Sequence, residues 1–221
     1  MLSSVTSFGR REVLCAYSSL VTTNPRPIRV VGVSGSLTDP SRTTALVEAI
    51  VARFGEVLPI EPHIIRLKEL GAHLGGSLTR EGLPEVAELE LQRIEGADLL
   101  VVATPVYRAS FTGLFKYLFD FVDQYALVDT PVLLAATGGS ERHALIIEHQ
   151  LRPLFGFFQS LALPVGVYAH DSDFTNYQVS NELLTQRIEK AVAKSLPLVR
   201  SSLAEREAVD RALAGEAALP L

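Results

Sequence analysis

Five short apolar, β-branched runs recur along the chain, and stretches with helical spacing separate them. This alternation constrains the fold more than any other feature. The runs are residues 28–33, 62–67, 98–103, 131–136 and 164–169. A short continuous apolar run reads as a strand buried on both faces, as in a parallel sheet. Residues 43–54 place Leu46, Ile50 and Phe54 four apart, a helical stripe. Helices are also predicted over 84–95, over 112–125 and within 140–161, while Leu184, Ile188, Ala191 and Ser195 mark one face of a last helix. A glycine-rich loop (Gly71, Gly75, Gly76, Gly82) is predicted ahead of the helix over 84–95. Strands alternating with helices in this way predict an α/β fold, a doubly wound five-stranded parallel sheet with helices on both faces.

The 221 residues suffice for one full core. The single cysteine, Cys15, excludes an internal disulfide and a Cys-based zinc site, and fits a reducing, cytoplasmic setting. A net charge of −5 argues against a nucleic-acid partner. No apolar run approaches the ~18 residues of a membrane span. Residues 1–27 are rich in Ser, Thr and Arg and close on Asn24-Pro25-Arg26-Pro27, so they read as a mobile leader. Arg10-Arg11 precedes a stretch too short and polar for an export signal. Residues 28–196 are the expected domain, and 197–221 a C-terminal helical extension with a surface helix over 203–214 ended by Gly215.

In open parallel sheets ligands bind beyond the carboxyl ends of the strands, where strand order reverses. The loops after strands one, three and four are unusual in composition. The first, Ser34-Gly35-Ser36-Leu37-Thr38-Asp39-Pro40-Ser41-Arg42-Thr43-Thr44, is hydroxyl-rich and runs into a helix N-terminus, with Ser41 or Thr43 as its cap. Free N–H groups and the positive end of a helix dipole suit a terminal phosphomonoester there. The second, Thr104-Pro105-Val106-Tyr107-Arg108-Ala109-Ser110-Phe111, offers Tyr107 and Phe111 to line a flat ligand. The third, Ala136-Thr137-Gly138-Gly139-Ser140, lets backbone amides approach a ring edge. Together these loops describe a mononucleotide site with a planar ring, for which FMN is the natural candidate. A dinucleotide fingerprint, a nucleophile elbow and a P-loop are all excluded, because each lacks a required glycine or a Gly-Lys-Ser/Thr. The five histidines show no zinc spacing, so no metal is expected.

The ordered set Gly35-Ser36-x-x-x-Pro40-Ser41-Arg42-Thr43, Ala103-Thr104-Pro105-Val106-Tyr107-Arg108, Gly113-x-x-Lys116-x-x-x-Asp120 and Ala136-Thr137-Gly138-Gly139 resembles the NAD(P)H-dependent FMN reductases of the flavodoxin-like superfamily. The likeness is strongest to the branch that supplies reduced flavin to alkanesulfonate and methanesulfonate monooxygenases. The resemblance implies a 2-1-3-4-5 sheet. It implies that Ser36, Ser41, Arg42 and Thr43 hold the FMN phosphate. Pro105, Val106, Tyr107 and Arg108 would follow the ring and ribityl edge, and Thr137, Gly138, Gly139 and Ser140 the pyrimidine side. NAD(P)H would stack on the ring and pass hydride to it, with no side chain acting as acid or base. It further implies a partner flavin-dependent monooxygenase, and places His149, in Glu148-His149-Gln150-Leu151-x-Pro153, at a π-bulge on a subunit interface. Large side chains at Phe115, Leu118, Phe119 and Val122, and at Leu154, Phe155, Phe157 and Phe158, exceed what one sheet face needs, which predicts a homodimer or homotetramer. Two other functions compete with this one: a flavodoxin-type FMN carrier, and a reductase of quinones, azo dyes or metal oxyanions on the same fold.

Overall fold

The computed structural model describes residues 26–217. The leader predicted for 1–27, with Cys15, therefore lies outside the described residues except for Arg26 and Pro27. Strands β1 (Ile28–Ser34), β2 (Ile60–Arg66), β3 (Leu99–Pro105), β4 (Pro131–Gly138) and β5 (Leu161–Ala162) lie in the order β2-β1-β3-β4-β5, and β6 (Val167–His170) also pairs with β4. Every pairing in this sheet is parallel, with Val33 opposite Ile65 and Val102, and Ala135 opposite Ala103 and Val167. The predicted strand order is therefore the observed one.

Alternate strand residues feed two cores. Val31, Val33, Leu100, Val102 and Leu134 face α2 (Leu67–Leu74), α3 (Glu85–Glu95), α4 (Gly113–Asp120) and α5 (Arg152–Phe157). Val30, Leu99, Val101, Leu133 and Ala135 face α1 (Arg42–Gly55) and α6 (Glu182–Ala217). The stripe Leu46, Ile50, Phe54 is wholly buried, as its spacing requires.

Four details depart from the sequence reading. The segment expected as a glycine-rich loop begins with helix α2, which contains Gly71. A Cβ there would stand 2.4 Å from Leu114 Cδ2, so this glycine serves close packing rather than a turn. Of the fifth run only residues 167–169 are strand, as the start of β6; β5 precedes the run, and Pro164, which has no N–H for a ladder, lies between the two strands. Helix α4 ends at Asp120 rather than near Tyr125, and Asp123 turns the chain by accepting from the Tyr125 N–H (2.8 Å). The separate helix over 203–214 is the distal part of α6, which passes Pro197 without a break. Packing on both sides of that proline holds the helix, since Ser195 and Val199 are fully buried.

The expected excess of apolar side chains is absent from the surface. Phe115, Leu118, Phe119, Val122, Phe155 and Phe158 belong to the core, with Phe119 and Phe155 edge to face at 5.0 Å. Only Phe157 of that set is strongly exposed. The π-turn does occur, over Ile147–Leu151, and includes His149; Pro153 follows it in the first turn of α5. Among the described residues no helix is long and apolar enough to cross a membrane.

The amino end of the sheet is closed by charge. Asp98, 1% exposed, precedes β3 and receives two bonds from the Arg26 guanidinium (2.6 and 2.9 Å) and one from the Arg29 N–H (2.8 Å). Arg206 of α6 lies 3.7 Å from the same carboxylate and donates to Ala97 O (3.0 Å) and Thr130 Oγ1 (2.7 Å). Burial alone would push the Asp98 carboxyl up, but the hydrogen bonds from Arg26 and Arg29 outweigh it and hold the pKa down at about 2.

Candidate functional site

The three loops singled out from composition meet at the carboxyl ends of β1, β3 and β4, and hydroxyls and backbone groups tie them together. The Gly35 N–H donates to Ala103 O (2.7 Å), and Thr112 Oγ1 donates to Gly35 O (3.2 Å). Thr43 Oγ1 and Thr137 Oγ1 share a buried hydrogen bond of 2.7 Å, which joins the start of α1 to the end of β4. The Val106 N–H donates to Thr137 O (2.9 Å). The loops thus form one rim.

At the first loop, Ser41 is the N-cap of α1, and its side chain accepts from the Thr44 N–H (3.2 Å). Ser36 is buried and closes its own turn, with Oγ accepting from the Thr38 N–H (3.3 Å). Arg42 opens the helix, followed by Thr43. Early N–H groups of a helix have no acceptor within it, so this end presents donors and positive potential together. The Thr43 hydroxyl is engaged with Thr137, and its backbone N–H lies in the first turn of the helix, where it has no intrahelical acceptor. The Arg42 guanidinium lies along the rim, 3.5 Å from Asp171 and 5.4 Å over the Tyr177 ring centre.

At the second loop, Pro105 and Val106 are half-buried, and Tyr107 and Arg108 are exposed. Tyr107 and Ser110 exchange backbone hydrogen bonds of 2.9 and 3.2 Å across a two-residue turn. Arg108 and Ala109 both take left-handed angles (φ 51° and 69°), which matches the twist of a tight hairpin but costs energy for residues with a Cβ. Phe111, expected to line a ligand, instead leans on Phe115 at 5.8 Å. Ser110 Oγ donates to Gln150 Oε1 (3.2 Å), linking this loop to the π-turn.

At the third loop, the two glycines differ. A Cβ on Gly138 would lie 2.5 Å from Tyr168 Oη and 3.5 Å from His143 Nδ1, so protein already fills that space. Tyr168 Oη donates to Ser140 O (2.6 Å) and fixes the loop from beneath. A Cβ on Gly139 would meet only the Asp171 carboxylate, at 3.3 Å. Tyr168, His143, Asp171 and Tyr177 were not among the expected site residues. Of these, only Asp171 is placed near the rim by the sequence, at the carboxyl end of the fifth run, where it reads as a cap or a solvent-facing charge.

The donor set fits a phosphomonoester beside a flat ring: a capped helix end, one guanidinium and a serine-rich turn, next to a loop whose backbone is open over Gly139. Among the described residues there is no group of three or more His, Cys, Asp or Glu placed to hold a metal ion.

Comparison with known proteins agrees with this geometry. The NADPH-dependent FMN reductase family matches residues 28–175. The chain is 54% identical to the NADH-dependent FMN reductase SfnF of Pseudomonas fluorescens over 178 residues, covering 80% of this chain and 95% of that one. It is 57% identical to the NADH-dependent FMN reductase SfnE of Pseudomonas putida over 172 residues, covering 78% and 92%. Among solved structures, an oxidoreductase of Corynebacterium diphtheriae superposes with a TM-score of 0.70 at 31% identity, covering 80% of this chain and 99% of that one. With the rim built by the loops that carry the ordered motifs, the chain belongs to the NADPH-dependent FMN reductase family.

Proposed function

We propose that this reductase supplies reduced FMN to a partner flavin-dependent monooxygenase in the assimilation of sulfur from sulfonates. As a member of its family it is an NAD(P)H-dependent FMN oxidoreductase. Bound FMN supplies the hydride-accepting ring, and NAD(P)H the hydride. The chain's own part is to bind and orient. Ser36, Ser41, Arg42 and the Thr43 N–H hold the phosphate. Pro105, Val106, Tyr107 and Arg108 follow the ribityl and ring edge. Thr137, Gly138, Gly139 and Ser140 present backbone to the pyrimidine side, where N–H groups oppose the charge that develops on reduction. The observation that carries this reading is the 2.7 Å Thr43–Thr137 bond, which holds the anion-binding helix end against the ring-edge loop.

Domain 28–196 then holds the site, with 1–27 as a leader and 197–221 as a C-terminal extension; the part of α6 beyond Pro197 reaches the amino end of the sheet through Arg206. The protein works in the cytoplasm as a homodimer or homotetramer. Exposed Leu145 and Phe157, which flank the π-turn and His149, support a subunit contact there. The sequence likeness to the reductases of two-component sulfonate monooxygenases supports the partner. Reconstitution tests the role. With NADH or NADPH, FMN, dioxygen and an alkanesulfonate, this protein and a sulfonate monooxygenase should release sulfite, and omission of the reductase should abolish it. Tightly bound FMN without pyridine-nucleotide oxidation would overturn the reading in favour of an electron carrier.

A further inference from the structure

Arg42 stands where an anion is favoured, yet its guanidinium is already shared. Nη1 lies 3.5 Å from Asp171 Oδ1, and the group rests over the Tyr177 ring. Both neighbours are held firmly. Asp171 begins a 3₁₀ turn whose other end is locked: Asp173 accepts from the His170 N–H (2.8 Å) and from Asn181 Nδ2 (2.6 Å). Tyr177 sits at the tip of a hairpin formed by β7 (Phe174–Thr175) and β8 (Gln178–Val179), where Asn176 and Tyr177 both take left-handed angles. Nearby cations have carboxylates of their own, Arg66 with Glu48 (2.7 Å) and Lys68 with Asp39 (3.8 Å). The second Asp171 oxygen lies 3.3 Å from the Cβ position of Gly139. One carboxylate therefore spans from the phosphate arginine to the ring-edge loop.

We infer that Asp171 is an internal competitor of the FMN phosphate for Arg42, and that it sets the affinity for FMN low enough for release. The inference rests on the phosphate site proposed above. A phosphomonoester arriving at the head of α1 draws Arg42 away from the carboxylate, so part of its attraction is spent breaking the existing pair. Both groups are roughly half-exposed, and such pairs contribute modestly, an effect of about twofold to fivefold on binding. That magnitude suits a protein that hands FMN on, because it weakens binding without dismantling the site. Through Arg42 it acts on the phosphate, the group that riboflavin lacks.

Fluorescence titrations with FMN and with riboflavin, which has the same ring and no phosphate, separate the outcomes. Asp171→Asn should bind FMN about twofold to fivefold more tightly, with riboflavin unchanged, and Asp171→Ala should do the same. In an Arg42→Ala background the gain should vanish. An unchanged or weaker FMN affinity in both Asp171 variants would overturn the inference. Equal tightening of both ligands would do so too, and a gain that survives Arg42→Ala would mean plain repulsion rather than competition. If the unsubstituted protein binds FMN and riboflavin alike and Arg42→Ala changes neither, the phosphate site itself falls, and the inference with it.

Discussion

Each end of the sheet carries an arginine–aspartate pair, and the two are built in opposite ways. At the amino end Asp98 is 1% exposed, doubly bonded to Arg26, bonded to Arg29 and approached by Arg206. At the carboxyl end Arg42 and Asp171 are both roughly half-exposed and 3.5 Å apart. A buried, fully bonded carboxylate is costly to disturb. A half-exposed pair at longer range contributes little and changes partners easily. The difference assigns stability to the end where polar groups are saturated, and binding to the end where a guanidinium and helix N–H groups can exchange partners.

The sharpest way to break this contrast is at Asp98. Asp98→Asn leaves three guanidinium groups without their shared carboxylate and should cost about 3 kcal/mol in urea unfolding, while FMN affinity of the folded protein stays unchanged. A variant as stable as the parent would end the contrast. Arg42→Ala should do the reverse, weakening FMN binding by roughly 1.5–3 kcal/mol, the range for a charge-assisted hydrogen bond, with the urea midpoint hardly moved. Acid sharpens the comparison further. The Asp98 pKa is about 2 in the folded chain against an ordinary 3.8. A depressed carboxylate stabilises above its unfolded pKa and loses that contribution as pH falls through the folded value. About 2 kcal/mol should therefore disappear between roughly pH 4 and pH 2, and Asp98→Asn should lack this loss. The smallest effect is expected at Arg206→Ala, which removes bonds to Ala97 O and Thr130 Oγ1 and should cost about 1 kcal/mol. Denaturation of each variant beside an FMN titration checks all four.

The sequence was most legible where its pattern is local. The apolar runs and the stripe Leu46, Ile50, Phe54 announce buried strands and a packed helix because period and burial are the same fact. Ser41 was legible as a helix cap because capping chemistry lies within a few residues. Helix α2 was hidden because Gly71 looks like a turn signal until Leu114, 43 positions on, is seen filling the space beside it. The Asp98 cluster joins residues up to 108 positions apart, and no local pattern reports it. The same holds at the rim. Tyr168 and Tyr177 reach the site from β6 and the hairpin after it, and only the folded sheet brings them there, whereas Asp171 was legible as a polar residue at the carboxyl end of the fifth run but not as a partner of Arg42. Phe115 and Phe155 misled for a related reason, since large side chains read as surplus until the core between the sheet and α2–α5 that receives them is in place.

A crystal structure of the protein with FMN tests the central claim most directly. The account predicts the phosphate at the head of α1, within hydrogen-bond distance of Arg42 and of the Thr43 N–H, with the ring edge against the backbone of Gly138, Gly139 and Ser140. A phosphate bound away from Arg42, or a ring seated off the 137–140 loop, would contradict it.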